Sequence, residues 1–361
     1  MGTDHKLEMD LGMDEKRFDP MNTPYEVFEE DFPWNDAIEE QCAFLLRYAI
    51  LAPSSYNTQP WKFEIKSNLI LVHADYERRL PVVDPHDREL IIGVGAAIFN
   101  LRVAADHFGF DTLVRYTPHS PKGEALAVVE ILPRDKGARN GLASLFPVIT
   151  ERHTNRSPFL AARVARSVVN SIEQLPRTNR SDIFVSTEAD LNEQVAQLVA
   201  MAEGEQHKDQ EFRKELAEWI RLNETRRPDG IPGAAFGMGN IASAAAPWLL
   251  KSFDTPRIFA ARNFHLCIEA PALVVLHGED SIDHWLDTGQ LLEHILLYVV
   301  SSGLQASFFN MPVEVPEYRI ALRHMCGLLN WPQILLRLGY CLTEPTRTPR
   351  RPVEDVLIAN R

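Results

Sequence analysis

Cysteine is scarce in this sequence: 361 residues contain four, namely Cys42, Cys267, Cys326 and Cys341. None of them belongs to a Cys-x-x-Cys pair, the spacing typical of zinc sites and redox motifs. Disulfide frameworks are also confined largely to oxidising compartments. The four residues therefore predict reduced, mostly buried thiols of a cytoplasmic protein, and they argue against disulfide bonds and zinc.

The sequence also lacks an excess of positive charge and a long hydrophobic run. Its formal net charge is −13, whereas proteins that bind nucleic acid or anionic membranes need a basic face. The longest apolar stretch, residues 295–309, is interrupted by Ser301 and Ser302 and is too short to span a bilayer. Residues 1–20 have no apolar segment typical of a secretory signal. We therefore expect a protein that binds neither nucleic acid nor membranes.

Two site patterns are incomplete. His284, Glu293 and His294 fall on one predicted helix, but their spacing matches no standard zinc motif, and no metal site is predicted. Gly93 and Gly95 lie inside another predicted helix rather than at a strand-to-helix turn. They therefore fail the context of a dinucleotide-binding fingerprint, and close helix packing is the favoured role.

The apolar pattern predicts an α+β protein with mainly antiparallel sheets. Residues 1–35 form a charged arm, residues 36–140 a first half, and residues 141–361 a second half. Both halves mix helices and strands. Residues 226–238 are rich in glycine and proline, which break helices, and a loop of this length is either a lid or a passive connection.

Two details of the helices are also predicted. Asp36 and Glu39 form a capping box that opens a helix over residues 37–51, and one unbroken helix is expected over residues 191–222.

The most informative segment is residues 52–61, Ala-Pro-Ser-Ser-Tyr-Asn-Thr-Gln-Pro-Trp. Two hydroxyl and two amide side chains follow Pro53 within six positions: Ser54, Ser55, Asn57 and Gln59. Such a loop between apolar elements offers donors and acceptors to a polar, planar ligand. The alternative is an ordinary helix-ending turn, since serine, asparagine and proline are common turn residues.

A second group of residues can bind an anion. Arg152, Thr154 and Arg156 share one side of an extended segment, because residues two apart point the same way. Guanidinium groups suit phosphate because they bind it in bidentate fashion. Arg350 and Arg351 lie immediately before a proline near the C-terminus. Taken alone, neighbouring arginines are more often part of a solvated surface.

The polar loop resembles the flavin-contacting loop of the nitroreductase family, Pro-Ser-Ser-x-Asn-x-Gln-Pro-Trp, at every specified position. The family also carries Arg-x-Ser/Thr-x-Arg/Lys for the flavin phosphate, which residues 152–156 match. Arg350 lies where the family has an arginine that completes this clamp. The family often has a lysine two positions earlier. Thr348 replaces that lysine here, so Arg351 is the candidate for the second charge. The resemblance spans residues 36–357.

The resemblance implies flavin mononucleotide (FMN) as the cofactor. It also implies that backbone groups of Asn310 and Met311 lie near the flavin N5, although both could equally be edge-strand residues. The full set of residues expected to bind the cofactor is Pro53, Ser54, Ser55, Asn57, Gln59, Arg152, Thr154, Arg156, Asn310, Met311, Arg350 and Arg351.

The loop occurs only in the first half of the chain and the clamp only in the second half. In single-length nitroreductases each subunit carries both, and a dimer builds two flavin sites. The resemblance therefore implies a tandem chain, an intramolecular pseudo-dimer with one FMN, present as a monomer or as a further homodimer.

Two functions are compatible with this pattern. The first is an NAD(P)H-dependent oxidoreductase that reduces a small acceptor such as a nitroaromatic or a quinone. No catalytic side chain is expected there, because the flavin carries the electrons. The alternative is a catalytically silent FMN-binding or storage protein, in which residues 226–238 close over the flavin as a lid.

Overall fold

The computed structural model of the protein describes residues 19–117, 124–134, 141–252 and 256–359. Its helices are α1 Ile38–Ala49, α2 Arg88–His107, α3 Arg166–Glu173, α4 Ala189–Lys208, α5 Gln210–Trp219, α6 Asn240–Ser252, α7 Pro256–Ile268, α8 Ile282–Ser301, α9 Met311–Glu314 and α10 Pro316–Met325. Its strands are β1 Trp61–Lys66, β2 Leu69–Ala74, β3 Phe110–Tyr116, β4 Ala125–Pro133, β5 Ser181–Ser186, β6 Ile220–Arg221, β7 Ile231–Pro232, β8 Ala272–Gly278, β9 Gln305–Phe308 and β10 Trp331–Gly339. The predicted α+β class is confirmed.

The first sheet has the strand order β1-β2-β4-β3, and all neighbouring strands are antiparallel. In β1 the side chains of Trp61, Phe63 and Ile65 are buried, while the residues between them are more exposed. This alternation follows from the two-residue period of a strand. A tight turn with Ser67 at φ +55° connects β1 to β2.

The second sheet repeats this arrangement with the order β5-β8-β10-β9, again antiparallel throughout. In each half, one long helix precedes the last two strands: α2 in the first half and α8 in the second. The same strand order and helix position are expected of two related halves.

Helices α2 and α8 pack against each other at a close crossing. The eighth residue of each helix is a glycine, Gly95 in α2 and Gly289 in α8. A Cβ atom on Gly95 would lie 2.2 Å from the carbonyl oxygen of Leu286, and one on Gly289 would lie 2.0 Å from that of Ile92. Only glycine allows the backbones to approach this closely. Close helix packing, expected for the glycines of α2, is confirmed for Gly95.

Helix α2 forms the core of the first half. It is long and apolar enough to cross a membrane, but 89% of its most apolar window is buried inside the protein. A buried helix of a core passes the same test of length and composition, so this helix is explained by packing.

The second half contains additional helices between β5 and β8. The prediction of one unbroken helix over residues 191–222 is wrong, because α4 ends at Lys208 and Asp209 caps a new helix by accepting a 2.8 Å hydrogen bond from the amide of Glu211. Helix α5 then gives way to β6, which pairs in parallel with β7. This pairing fixes part of the segment 226–238 against α5.

Residues 19–35, the described part of the predicted arm, contact both halves: the Tyr25 hydroxyl donates to the carbonyl oxygen of Thr348 at 2.9 Å, and Phe32 packs in the first half. Phe32 is buried and stacks on Phe108, with 4.2 Å between ring centroids. The predicted capping box is wrong: Ala37 is the N-cap residue of α1, and no side chain caps the helix. The chain that leads into α1 is therefore held by tertiary contacts such as the stacking of Phe32 on Phe108.

Candidate functional site

One cavity brings together residues from both halves of the chain; it is called the main cavity below. Its wall includes the loop before β1, the first turns of α2, the segment 152–156 and the end of β9. Ten of the twelve residues predicted to bind a cofactor line it: Pro53, Ser54, Ser55, Asn57, Arg152, Thr154, Arg156, Asn310, Met311 and Arg350.

The loop before β1 has an uncommon backbone conformation. Tyr56, Asn57 and Gln59 have φ values of +50°, +56° and +52°, a region that non-glycine residues seldom adopt. Such conformations persist only where surrounding contacts impose them, and they concentrate at functional sites. The loop is therefore more than a helix-ending turn.

The Asn57 side chain imposes this conformation by joining three distant segments. Its Nδ2 donates hydrogen bonds to the carbonyl oxygens of Gly230, at 2.9 Å, and Pro349, at 2.8 Å. Its Oδ1 accepts a 2.8 Å hydrogen bond from Arg350. Asn57 thus ties the loop to segment 226–238 and to the C-terminal segment.

Gln59 and Arg351 were also predicted to bind the cofactor, but neither of them lines the main cavity. Gln59 is fully buried; it donates to the carbonyl oxygen of Pro228 at 2.7 Å and accepts from the Arg351 amide at 2.8 Å. The Arg351 guanidinium lies 3.4 Å from Asp75 and donates to the carbonyl oxygen of Asp355 at 2.7 Å. Both side chains hold separate segments of the chain together, and the role of Arg351 as a second clamp charge stays a prediction.

Arg152 and Arg350 meet at the end of α1, although about two hundred residues separate them in the sequence. Each donates to the carbonyl oxygen of Leu51, Arg152 at 2.8 Å and Arg350 at 3.2 Å. Both are buried, and among the described residues the Arg350 Nε has no hydrogen-bond partner. A buried charge without compensation is costly, so this corner of the main cavity suits an anion.

Glu293 on α8 pairs with Arg152, with 3.3 Å between its Oε1 and the Arg152 Nε, and its charge also acts on Arg350 at longer range. Glu293 is fully buried, and this burial raises its pKa to about 7 against the opposing effect of Arg152. Burial and the charges of Arg152 and Arg350 lower the pKa of His153 to about 2. Since His153 is then neutral, the two guanidinium groups give the corner a net positive charge whether Glu293 is ionised or protonated.

Segment 152–156 runs along β9. Thr154 bridges Ala306 in parallel, and the Asn155 amide donates to the Ala306 carbonyl oxygen at 2.9 Å. Arg152, Thr154 and Arg156 all line the main cavity, as their spacing of two predicts. The Asn155 side chain instead donates to the carbonyl oxygen of Thr343 at 2.9 Å.

Asn310 and Met311 lie beyond the end of β9, which stops at Phe308, so the edge-strand alternative does not describe them. The Asn310 side chain accepts a 3.0 Å hydrogen bond from the Leu335 amide and donates to Glu89 at 3.3 Å. These contacts fix the turn into α9 against the cavity wall.

Sequence reasoning missed the glutamates Glu89, Glu203 and Glu314, which line the inner wall of the main cavity. Glu89 lies in the first turn of α2 and accepts a hydrogen bond from the Ser55 hydroxyl. Glu314 accepts a 2.6 Å hydrogen bond from Gln206, and burial together with nearby carboxylates raises its pKa. Only Glu89 could have been noticed in the sequence, because it is an acidic residue in an otherwise apolar helix. Glu203 and Glu314 have no such feature.

Among the described residues, no three or more His, Cys, Asp or Glu side chains are placed to hold a metal ion. All four cysteines are free thiols; three of them are buried and Cys341 is partly exposed. The chemistry of the main cavity therefore rests on its arginines, amides, hydroxyls and carboxyl groups.

No protein-family model matches the chain. It is similar to the "Putative NAD(P)H nitroreductase acg" of Mycobacterium tuberculosis, with 24% identity over 332 residues that cover 86% of this chain and 93% of the relative. It is also similar to the "Probable NAD(P)H nitroreductase PigM" of a Serratia species, with 23% identity over 339 residues, 90% of this chain and 94% of the relative. The resemblance to nitroreductases is thus confirmed over most of the chain, in relatives of the same length.

Solved structures of nitroreductases also match part of the chain. The FMN and NADPH-dependent nitroreductase NfnB from sphigopyxis sp. strain HMH has 17% identity and a TM-score of 0.40, and the match covers 60% of this chain and 99% of that protein. The FMN-dependent NfnB from Mycobacterium smegmatis, solved in complex with NADPH, has 15% identity and a TM-score of 0.40, with 61% and 100% coverage.

Proposed function

We propose that the protein is an FMN-dependent oxidoreductase that uses NAD(P)H to reduce a small electron-poor acceptor, such as a nitroaromatic or a quinone. The observation that carries this proposal is the buried pair Arg152 and Arg350 at the end of α1. The pair lies beside a strained polar loop, and the Arg350 charge has no carboxylate within 4 Å among the described residues. A ligand with a phosphate and a polar planar ring satisfies both features, and the relatives named above are nitroreductases.

The donor set of the main cavity fits FMN. Arg152 and Arg350 would hold the phosphate, because guanidinium groups bind phosphate through charge-assisted hydrogen bonds. The hydroxyls of Ser54, Ser55 and Thr154 would contact polar atoms of the cofactor, as the family resemblance implies. When bound, FMN supplies hydride exchange with the nicotinamide and the acceptor. The chain's own residues bind it, orient it and exclude water.

We place a single FMN between the two halves of one chain, because the loop comes from residues 36–140 and the arginines from residues 141–361. The repeated strand order of the two sheets supports this pseudo-dimeric arrangement. One polypeptide then completes the site, so a monomer is sufficient and a further homodimer is compatible. The cytoplasm, which provides NAD(P)H, is the compartment we propose.

The protein purified with its cofactor tests this function. We expect a yellow protein with about one FMN per chain, as a single clamp requires. Anaerobic addition of NADPH or NADH should bleach the flavin absorbance within seconds. A protein that stays colourless after incubation with FMN would contradict the proposal.

A second function, FMN sequestration, is favoured by the fastening of segment 226–238 over the main cavity. Asp229 lies 2.5 Å from the Arg78 guanidinium and 2.8 Å from that of Arg221. Phe236 of the same segment lies against the Arg156 guanidinium, 5.1 Å from the ring centroid. A segment held closed in this way would keep nicotinamide from the flavin.

The variant Asp229→Asn separates the two functions, because it weakens both ion pairs and leaves the cavity wall intact. If wild-type flavin resists NADPH and the variant is bleached, sequestration is the function. Equal and rapid bleaching of both proteins would establish the enzyme. Lys214→Gln, an exposed helix position paired with Glu211, is the matched control.

A further inference from the structure

A second group of arginines lines the main cavity away from the corner that Arg152 and Arg350 form. Arg156 in the segment beside β9, Arg262 on α7 and Arg337 on β10 all belong to the cavity wall; together they are called the inner arginine cluster. Mutual repulsion helps to lower the pKa of Arg156 and of Arg337, each to about 10, after burial as the main cause. The three side chains also meet at one stretch of backbone, because Arg262 Nη2 lies 3.5 Å from the carbonyl oxygen of Arg156 and Arg337 Nη2 donates to the neighbouring carbonyl oxygens.

The inner arginine cluster has no acidic counterpart at ion-pair distance. Among the described residues, no carboxylate lies within 4 Å of any of its three guanidinium groups. The acid that influences Arg262 is Glu203. Its oxygens are already engaged by His207 at 3.1 Å and by Asn263 at 2.7 Å.

Arg337 is the best-defined member of the cluster. Its side chain is fully buried, and its Nε and Nη1 have no hydrogen-bond partner among the described residues. Its Nη2 donates to the carbonyl oxygens of Asn155, at 3.2 Å, and Ser157, at 2.8 Å. The Phe159 ring packs 3.9 Å from the guanidinium carbon. The group is thus held in one orientation with the donors of Nε and Nη1 left over, and each of them can donate to an oxygen of an anion.

This cluster is distinct from the corner proposed for the FMN phosphate. Arg350 donates to the carbonyl oxygens of Leu51, at 3.2 Å, and Ala52, at 3.3 Å, which follow α1. Arg337 donates instead to those of Asn155 and Ser157. One phosphate at the first corner therefore leaves the second uncompensated, and buried uncompensated charge is costly.

We propose that the inner arginine cluster binds the anionic group, a carboxylate or a phosphate, of the molecule that exchanges electrons in the main cavity. This proposal rests on the proposed function and adds that the enzyme selects anionic over neutral partners. The anionic group has two possible sources: a carboxylated electron acceptor, or the phosphates of the nicotinamide cofactor.

Two variants test the proposal. Arg262→Gln removes the charge of the partly exposed member on α7, and Arg337→Lys keeps the charge while removing the planar fork. Arg115→Gln, an exposed arginine paired with Glu130 on the first sheet, is the control. Dissociation constants are measured for 4-nitrobenzoate, NADP⁺ and neutral nitrobenzene from the change in absorbance of bound FMN, and FMN content and thermal stability are measured alongside.

We expect the affinity for an anionic probe to fall about tenfold or more in Arg262→Gln, since hydrogen bonds to charged groups contribute that much. Nitrobenzene affinity and FMN content should not change. Weaker 4-nitrobenzoate binding alone identifies the acceptor carboxylate as the source, and weaker NADP⁺ binding alone identifies the cofactor phosphates. Arg337→Lys should show the same preference with a smaller change.

Two results would overturn the inference. One is an unchanged affinity for both anions in both variants while FMN remains bound. The other is loss of FMN from Arg262→Gln, which would assign the cluster to the FMN clamp. If the wild-type protein binds no FMN, the proposed function itself fails. Calorimetric titration of the flavin-free protein with 4-nitrobenzoate still tests the cluster.

Discussion

The main cavity has a counterpart, here called the second cleft, that is built from the matching elements of the other half. The main cavity uses the loop before β1, the start of α2 and the end of β9; the second cleft uses the segment before β5, the start of α8 and β3. The residues that line the second cleft are Arg102, Thr112, Val114, Tyr116, Thr178, Arg180, Asp283, Asp287 and Gln290. The same scaffold thus offers two comparable sites.

The two sites differ in how their polar groups are paired. In the second cleft, Asp287 accepts hydrogen bonds from the Tyr116 hydroxyl, from Thr178 at 2.7 Å and from Arg180 at 3.2 Å. Arg102 donates to Gln290 at 2.7 Å. In the main cavity, by contrast, Arg350 and the inner arginine cluster have no carboxylate at ion-pair distance among the described residues. Arg102 likewise has no carboxylate at ion-pair distance among the described residues, and its Nε has no hydrogen-bond partner. The main cavity therefore differs in degree, with four arginines that lack a carboxylate, and uncompensated buried charge favours an anion.

One helix position accounts for much of this difference. The sixth residue of α2 is Gly93, which faces the polar loop, and the sixth residue of α8 is Asp287. In the main cavity, Gly93 leaves room for a ligand. In the second cleft, the Asp287 side chain fills the equivalent space and accepts hydrogen bonds from its neighbours. Helix and sheet geometry are shared, so side-chain identity decides which cleft is available.

The largest expected effect comes from disrupting the crossing of α2 and α8, the two helices that contribute to both the main cavity and the second cleft. Gly289→Ala should lower the free energy of unfolding by about 5 kcal/mol, because the added methyl meets a backbone oxygen that cannot move away. Chemical denaturation measures the loss. Gly204→Ala is the control: it lies in helix α4 with open space around it and should gain about 1 kcal/mol. Equal stability of the two variants would contradict the close crossing of α2 and α8.

The next largest effect removes ligand-binding charges from the main cavity and leaves the second cleft unchanged. Replacing both Arg152 and Arg350 with glutamine should weaken FMN binding about a thousandfold, since two charge-assisted contacts to phosphate are lost. Fluorescence titration with FMN measures the change, and circular dichroism confirms folding. The matched double variant of the second cleft, Arg102→Gln with Arg180→Gln, should retain FMN. Flavin loss in the second double variant alone would reverse the assignment of the two clefts.

A third prediction concerns Glu293, the twelfth residue of α8. The twelfth residue of α2 is Phe99, so the two helices differ in charge at this position. Burial raises the pKa of Glu293 to about 7, so the folded state holds its proton more tightly than the unfolded state. This contribution is fully present below the unfolded pKa of about 4.5 and is lost as the pH rises to 7, about 3 kcal/mol in all. Glu293→Gln should remove that pH dependence from the unfolding free energy of the flavin-free protein. An unchanged pH profile would mean that Glu293 is ionised throughout.

The smallest effect exchanges the residue that distinguishes the clefts. Gly93→Asp should weaken FMN binding about tenfold or more, because it places a carboxylate beside the loop without the arginine that balances Asp287. Gly93→Ala should bind FMN normally, since a Cβ there meets Ser54 at an ordinary 3.5 Å. If aspartate and alanine have the same effect, volume rather than charge separates the clefts.

Helices were predicted more accurately from the sequence in the first half than in the second half. The helix predicted to contain Gly93 and Gly95 forms α2, because its apolar pattern continues until just before Gly109, which has a positive φ. Residues 191–222 were also predicted as one helix, but Asp209 divides them, because its side chain offers an alternative cap that the apolar pattern does not reveal. Helices α6 and α10 were not predicted, and α6 contains Pro247, which the general rule against proline in helices excludes.

The site shows the same division. Through their resemblance to the nitroreductase family, loop residues 53–57 and Arg152, Thr154, Arg156 and Arg350 predicted a phosphate-bearing flavin. The contacts of Gln59 and Arg351 were not predicted, because only the folded chain shows that these two residues bind each other. Arg262 and Arg337 gave no signal at all, since neither lies in a local motif.

The sequence by itself determined the α+β class, the two sets of elements and the residues of one polar loop and one arginine pair, because these depend on local periodicity and on short motifs. Only the tertiary structure decided that the loop and the arginines share one cavity, that Asp287 neutralises the second cleft, and that three further arginines face the first. The physical reason is that charge compensation depends on distances between residues far apart in the chain, and the fold alone sets those distances.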